Sequence, residues 1–399
     1  MRYILSIRGG GIRGIIPACC LVKLESQLGG LTRDHIAYCA GTSTGALLTA
    51  AVAAGIPAAD LLKVYTDRSK QIFVPTGFRA DTKLVTEGYR YDPNNLRDVL
   101  ASVLGAAKGW TINDCPIGVM ITATAMNGHN WYFVKDNDHN AKSTGSVKLL
   151  DAAVASACGP TYFDHWTIDN VAGKRMCFFD GGVGGTCNPV YEACVEAFEF
   201  DTLQPADTRV IALGTGYYPG SNNPPSGLLR VVSWAVGTLI DTSEDWADEA
   251  VDRQWPKIVT RFNPLLPSDI GEDELSAIPA LLEVGQQLAA TLDWKQLLAP
   301  PPEPAPPPPP GPAPETGPGP EGGPGPETTP APQSGPAPQN EAKPQDEPAP
   351  QSEPAATQPA RASSSPRPGD STEGTASAAR QSSASTGRRS QKPVQHAGR

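Results

Sequence analysis

Five residues, Gly41-Thr42-Ser43-Thr44-Gly45, constrain this chain more than any other stretch. The apolar run Ile36 to Ala40 before them predicts a buried strand. The run Ala46 to Ala54 after them predicts a packed helix, stopped by Gly55 and Pro57. Strand, tight Gly-x-Ser-x-Gly turn and helix is the setting of a nucleophile elbow. The turn is too sharp for side chains at its two ends, which accounts for Gly41 and Gly45. Ser43 is then held on a strained corner, over a helix N-terminus that favours developing negative charge. The bland alternative is an ordinary Gly/Ser/Thr turn. A serine hydroxyl is a weak nucleophile by itself, so the chemical reading requires a base and oxyanion donors elsewhere in the chain.

The best source of donors is Gly9-Gly10-Gly11-Ile12-Arg13-Gly14. It follows a predicted strand, Arg2 to Ile7, and precedes a predicted helix, Ile15 to Leu28. That helix has Pro17 near its start and Gly29-Gly30 just past its end. Successive glycines leave backbone N–H groups unobstructed and free to converge, so Gly9, Gly10 and Gly11 are the candidate oxyanion hole. The same residues fit the Gly-x-Gly-x-x-Gly fingerprint of dinucleotide sites. That reading needs an acid closing a second strand, and neither Glu25 nor Asp34 does so.

For the base, the histidines before the tail are His35, His129, His139 and His165. None follows a late strand in the order serine, acid, histidine, and His165 is the histidine alternative. Asp180 is the preferred base. It ends the apolar run Met176 to Phe179 and is followed by Gly181-Gly182, which permit close approach of another backbone. A carboxylate in a partly apolar site has its pKa raised and can act as general base. Its bland alternative is an Asp-Gly turn.

Strand, helix, strand and helix within the first 55 or so residues imply parallel pairing, hence an α/β fold. Further helices are predicted at Ala58 to Phe73, Asp92 to Leu104, Leu149 to Cys158 and Val190 to Phe200. Further strands are predicted at Ile117 to Ala125, Asn130 to Lys135, Arg175 to Phe179, Arg209 to Gly214 and Ile258 to Phe262. Asn127-Gly128 predicts a hairpin and so one antiparallel addition to the sheet.

The chain changes character at Ala299-Pro300. The last hundred residues hold 27 of the 42 prolines and none of the 26 aromatics. Such a segment cannot bury enough apolar surface to offset its ordering entropy, so residues 299–399 are expected to be a disordered Pro/Gly/Ser-rich tail behind a domain spanning 1–298. Pro301 to Pro314 favour polyproline II, and the Ser- and Arg-rich end is a linker or a docking peptide for a partner. The net charge of −10 argues against a nucleic-acid groove. The eight cysteines contain no Cys-x-x-Cys pair, so no zinc site is expected. No apolar run reaches transmembrane length and no signal peptide is evident, so a cytoplasmic location with peripheral membrane contact is expected.

Taken together, the glycine loop, the elbow and Asp180-Gly181-Gly182 resemble the patatin-like phospholipase family. Leu5-Ser6-Ile7, Gly14-Ile15-Ile16-Pro17, Ala155 to Phe163 and Asn188-Pro189 also look like that family. The resemblance is strong over roughly residues 1 to 215. It implies a three-layer fold with a mainly parallel central sheet flanked by helices. It implies a Ser–Asp dyad, with Ser43 as nucleophile, Asp180 as proton acceptor and Gly9 to Gly11 holding the oxyanion. Arg13, Gly14, Gly41, Gly45, Gly181 and Gly182 complete the motifs. No metal or cofactor is implied, and the substrate class is acyl esters of glycerolipids at a lipid or membrane interface. Two residues depart from the pattern. Arg8 stands where the family has aspartate, and would supply positive charge near the oxyanion or grip a lipid phosphate. Cys187 stands where an asparagine is usual. Arg8 and the Pro-rich tail also suit a second reading, a catalytically weakened patatin-fold protein whose tail recruits a partner.

Overall fold

The computed structural model describes residues 1–75, 84, 86–219, 226 and 228–299. The tail expectations from Pro300 onward lie outside the described residues.

Eight strands form one sheet. They are β1 (Arg2–Ile7), β2 (Tyr38–Gly41), β3 (Gly118–Ala125), β4 (Asn130–Val134), β5 (Trp166–Val171), β6 (Lys174–Asp180), β7 (Thr208–Leu213) and β8 (Val259–Phe262). Among the helices are α1 (Ile15–Leu28), α2 (Thr44–Ala54), α3 (Ala58–Lys63), α4 (Ser69–Ile72), α5 (Pro93–Leu104) and α6 (Leu149–Ala157). Beyond them come α7 (Val190–Val195), α8 (Leu228–Gln254), α9 (Ile278–Thr291) and α10 (Trp294–Leu297).

The centre of the sheet is parallel. β1 pairs with β2 on one side and β7 on the other, β2 pairs with β3, and β8 adds beyond β7. Alternation along β1 builds the layers, because successive side chains leave opposite faces. Tyr3, Leu5 and Ile7 join a core with α1, α2, α6 and α9. Ile4 joins a second core with Val190 and Ala193 of α7 and Val251 of α8. The result is the expected three-layer α/β fold. Burying β1 and β2 on both faces explains why they read as continuous apolar runs.

The Asn127-Gly128 turn forms, with Gly128 at φ 84°, and β4 returns antiparallel to β3. β5 is a strand that the sequence does not announce: its polar residues and half-exposed pattern lack the apolar run of the other strands. β6 pairs antiparallel with both β5 and β3. The single helix expected from Ala58 to Phe73 is instead α3 and α4 joined through a π-turn, Val64–Arg68. A π-turn inserts one residue into the helical repeat and commonly marks a functional site.

Candidate active site

The site arises where two strands meet end to end. β4 occupies one edge of β3 along Met120 to Thr124. The other edge is shared: β2 pairs with it in parallel up to Gly41↔Ile121, and β6 pairs antiparallel down to Asp180↔Ala123. The C-terminal ends of β2 and β6 therefore face each other across two residues of β3, about 7 Å of strand. Ser43 follows the first end and Asp180 terminates the second. Thr122, between the two register positions, bonds Thr42 through their hydroxyls at 2.7 Å.

Ser43 has φ 56° and ψ −123°, a left-handed conformation that costs a non-glycine residue energy. It is the strained corner expected of an elbow. The turn closes so tightly that a Cβ on Gly41 would run into the Gly45 carbonyl, and one on Gly45 into the Ile7 carbonyl. The Ser43 amide donates to Ser156 Oγ at 2.8 Å, tying the corner to α6. α2 starts at Thr44, so its N-terminus lies directly beneath the serine.

Asp180 is 8% exposed. Burial raises its carboxyl pKa from 3.8 to about 7. Hydrogen bonds from the Ser43 hydroxyl and the Gly182 amide work the other way, and the nearby Glu272 charge adds to the rise. The Gly182 N–H donates to Oδ1 at 2.8 Å, which fixes the carboxylate plane. Gly181 lies so close to Thr122 that a Cβ there would overlap its hydroxyl.

The loop after β1 enters the same corner, because Ile7 is in register with Gly41. Its three amides are not equivalent. Gly9 N–H donates to the Cys187 carbonyl at 3.0 Å, which removes it from the expected set of free donors. Gly10 and Gly11 have no hydrogen-bond acceptor for their amides among the described residues. Both have positive φ, 144° and 56°, which turns these amides away from the strand direction. Thr215, after β7, braces the loop by donating to the Gly9 carbonyl at 2.6 Å. Arg13 donates to the Gly10 carbonyl and pairs with Glu272 at 3.8 Å. Gly14 leaves room for Thr44 and Tyr65.

Arg8 corrects an expectation. Its guanidinium is not available for a phosphate. It is buried and held by Glu244 at 2.9 Å and by Asp248, both on α8. Asn188 and Arg261 bond the same Asp248 carboxylate. Arg8 thus fastens α8 beside the glycine loop. Cys187, the other departure, takes part through its carbonyl, while its thiol packs near Gly9 and Gly182.

His165 is bonded to its neighbour Asp164 and meets Phe179 edge to face. No hydrogen bond described for it reaches Ser43 or Asp180. Sequence reasoning missed Ser156, Thr215 and Glu272. Thr215 had a visible signal, the Gly-Thr-Gly that ends a strand. Ser156 and Glu272 had none of their own. Among the described residues no group of three or more His, Cys, Asp or Glu is placed to hold a metal ion. No described helix is long and apolar enough to cross a membrane.

An elbow, a glycine loop and an aspartate at a strand end define a class. Residues 5–193 match the family model of the patatin-like phospholipases, and they form a patatin-like phospholipase domain. The chain is 31% identical over 227 residues to a cGAMP-activated phospholipase of Escherichia coli, a match covering 53% of this chain and 61% of that protein. It is 29% identical over 245 residues to Patatin-17 of Solanum cardiophyllum, covering 54% of this chain and 61% of that one. It thus spans about three fifths of the length of these curated relatives. Among solved structures, VipD from Legionella pneumophila aligns with a TM-score of 0.36 at 13% identity, over 73% of this chain and 67% of that chain.

Proposed function

We propose that this chain is a lipid acyl hydrolase, a phospholipase A-type carboxylic ester hydrolase of lipid catabolism, working through a Ser43–Asp180 dyad. Ser43 Oγ attacks the ester carbonyl and its proton passes to Asp180. The oxyanion is received by the Gly10 and Gly11 amides and the N-terminal end of α2. Collapse expels the alcohol, which takes the proton from Asp180 and leaves an acyl-serine. Water then attacks the acyl group while Asp180 accepts its proton. That proton returns to Ser43 as the acid departs. The chemistry calls for no cofactor.

The observation that carries this reading is the meeting of the strained corner at Ser43 and the strand end at Asp180 across two residues of β3, with burial pushing the Asp180 carboxyl up to about 7. A general base works best when its pKa lies near the working pH. The weakened-catalyst reading drew on Arg8, and the ion pairs of Arg8 with α8 supply a structural reason for that residue. The chain is proposed to act from the cytoplasm at a lipid–water interface, with residues 1–298 as the working domain.

A fluorophosphonate probe should label Ser43, and Ser43→Ala should abolish ester hydrolysis. Labelling at another serine would overturn the dyad. Because the E. coli relative is named as cGAMP-activated, hydrolysis of mixed lipids, read by mass spectrometry of products, is run with and without cGAMP.

A further inference from the structure

Two apolar cavities share a wall beside the nucleophile. The first contains Ser43 and Thr44 and runs between α2 and the segment from Val64 to Phe73. The second continues it towards α5, ending among Leu100 and Val103. Leu47, Val64, Tyr65, Ile72 and Leu96 line both. Their linings together form an apolar track of side chains reaching from Ser43 into the helical layer.

One lining group does not fit an apolar track. Ser69 is 2% exposed, lines the first cavity, and its hydroxyl has no hydrogen-bond partner among the described residues. The neighbouring hydroxyl of Thr44, by contrast, pairs with the Tyr65 hydroxyl at 2.5 Å. Ser69 opens α4 at the point where the π-turn ends, so the inserted residue sets which side chain faces the cavity. A plain alkyl chain would leave the hydroxyl buried and unpaired, which is unfavourable. An alanine would serve such a chain better. A chain bearing its own hydroxyl would pair with Ser69 and remove the penalty.

We propose that this track is the acyl-chain subsite and that Ser69 selects an acyl chain carrying a hydroxyl group along its length. The proposal rests on Ser43 being the nucleophile. Ser69 touches the chain and not the reacting atoms, so it sets specificity. Its effect falls on the ratio of kcat/KM between two esters that differ only in the chain.

The test uses the full chain and p-nitrophenyl esters of octanoate and of each positional hydroxyoctanoate, with p-nitrophenyl acetate as a substrate too short to enter the track. The wild type is expected to prefer at least one positional isomer over octanoate by about tenfold, the worth of one recovered hydrogen bond. In Ser69→Ala that preference should disappear. A flat positional profile in the wild type overturns the proposal without any variant. So does a preference that survives Ser69→Ala. If acetate is turned over with Ser43 labelled but the octanoate series is flat, only the role of Ser69 fails. If Ser43 is not labelled, the nucleophile reading fails first.

Discussion

Replacing Asp180 by asparagine separates what the carboxylate does from what it costs to bury. Asparagine has nearly the same shape, can accept the Gly182 N–H through its own Oδ1, and carries no charge at any pH. As a base it is useless, so kcat should fall by roughly 10²–10⁴. Stability should move the other way. The folded-state pKa lies above the unfolded one, so the neutral acid is the form the fold prefers. The stability linked to that form is fully present below pH 4 and is lost as pH rises through about 7. A rise from 3.8 to about 7 corresponds to roughly 4 kcal/mol of charge-burial cost.

Urea midpoints of the two proteins at several pH values provide the measurement. Near pH 4 they should agree closely. From there to neutrality Asp180→Asn should become progressively more stable, and above pH 8 the gap should stay constant at a few kcal/mol. Subtracting one protein from the other cancels the other raised acids, such as Glu192. Glu272, whose charge bears on Asp180, changes with it, and so do the thiols of Cys158 and Cys187, which stay protonated across this range. A gap that is independent of pH, or that closes as pH rises, would refute the claim that burial dominates this carboxyl.

Ser43→Gly and Ser43→Ala both remove the nucleophile, but only alanine keeps a Cβ at φ 56°; the glycine protein should melt higher, by about 1 kcal/mol of relieved strain. Arg8→Asp should not restore a family-like loop. It places a third carboxylate beside Glu244 and Asp248, and should destabilise by about 3–5 kcal/mol or prevent folding, read by urea denaturation. A chain ending at Ala299 should unfold with the same cooperative midpoint as the full chain and keep its turnover of soluble esters.

Much of the fold was legible because the central strands are buried on both faces and alternate with helices. The elbow was legible for a local reason: Gly41 and Gly45 touch backbone four or fewer residues away or on the neighbouring strand, so the spacing is written in five letters. β5 was not, since a strand on an exposed edge carries no apolar run. Gly9 was assigned as a donor because glycine permits the geometry, but whether its amide is free depends on Cys187, far along the chain. Arg8 was misread for the same reason. Its partners lie on α8, more than 230 residues away, and nothing near position 8 names them.

The pairing of Ser43 with Asp180 is the instructive middle case. Each residue could be picked out locally, one from a turn and the other from a strand end with glycines after it. That they meet depends on β3 lending one edge to two strands of opposite direction. A parallel β6 would place its N-terminal end, Lys174, towards Gly41 and carry Asp180 away from the serine. The helix N-terminus and oxyanion loop belong to the parallel half of the sheet, as they must, because carboxyl ends of parallel strands gather there. The proposed base, Asp180, comes from the antiparallel half. Joining the two halves on β3 sets the strand end that carries it two residues of β3 from the strand end that precedes Ser43.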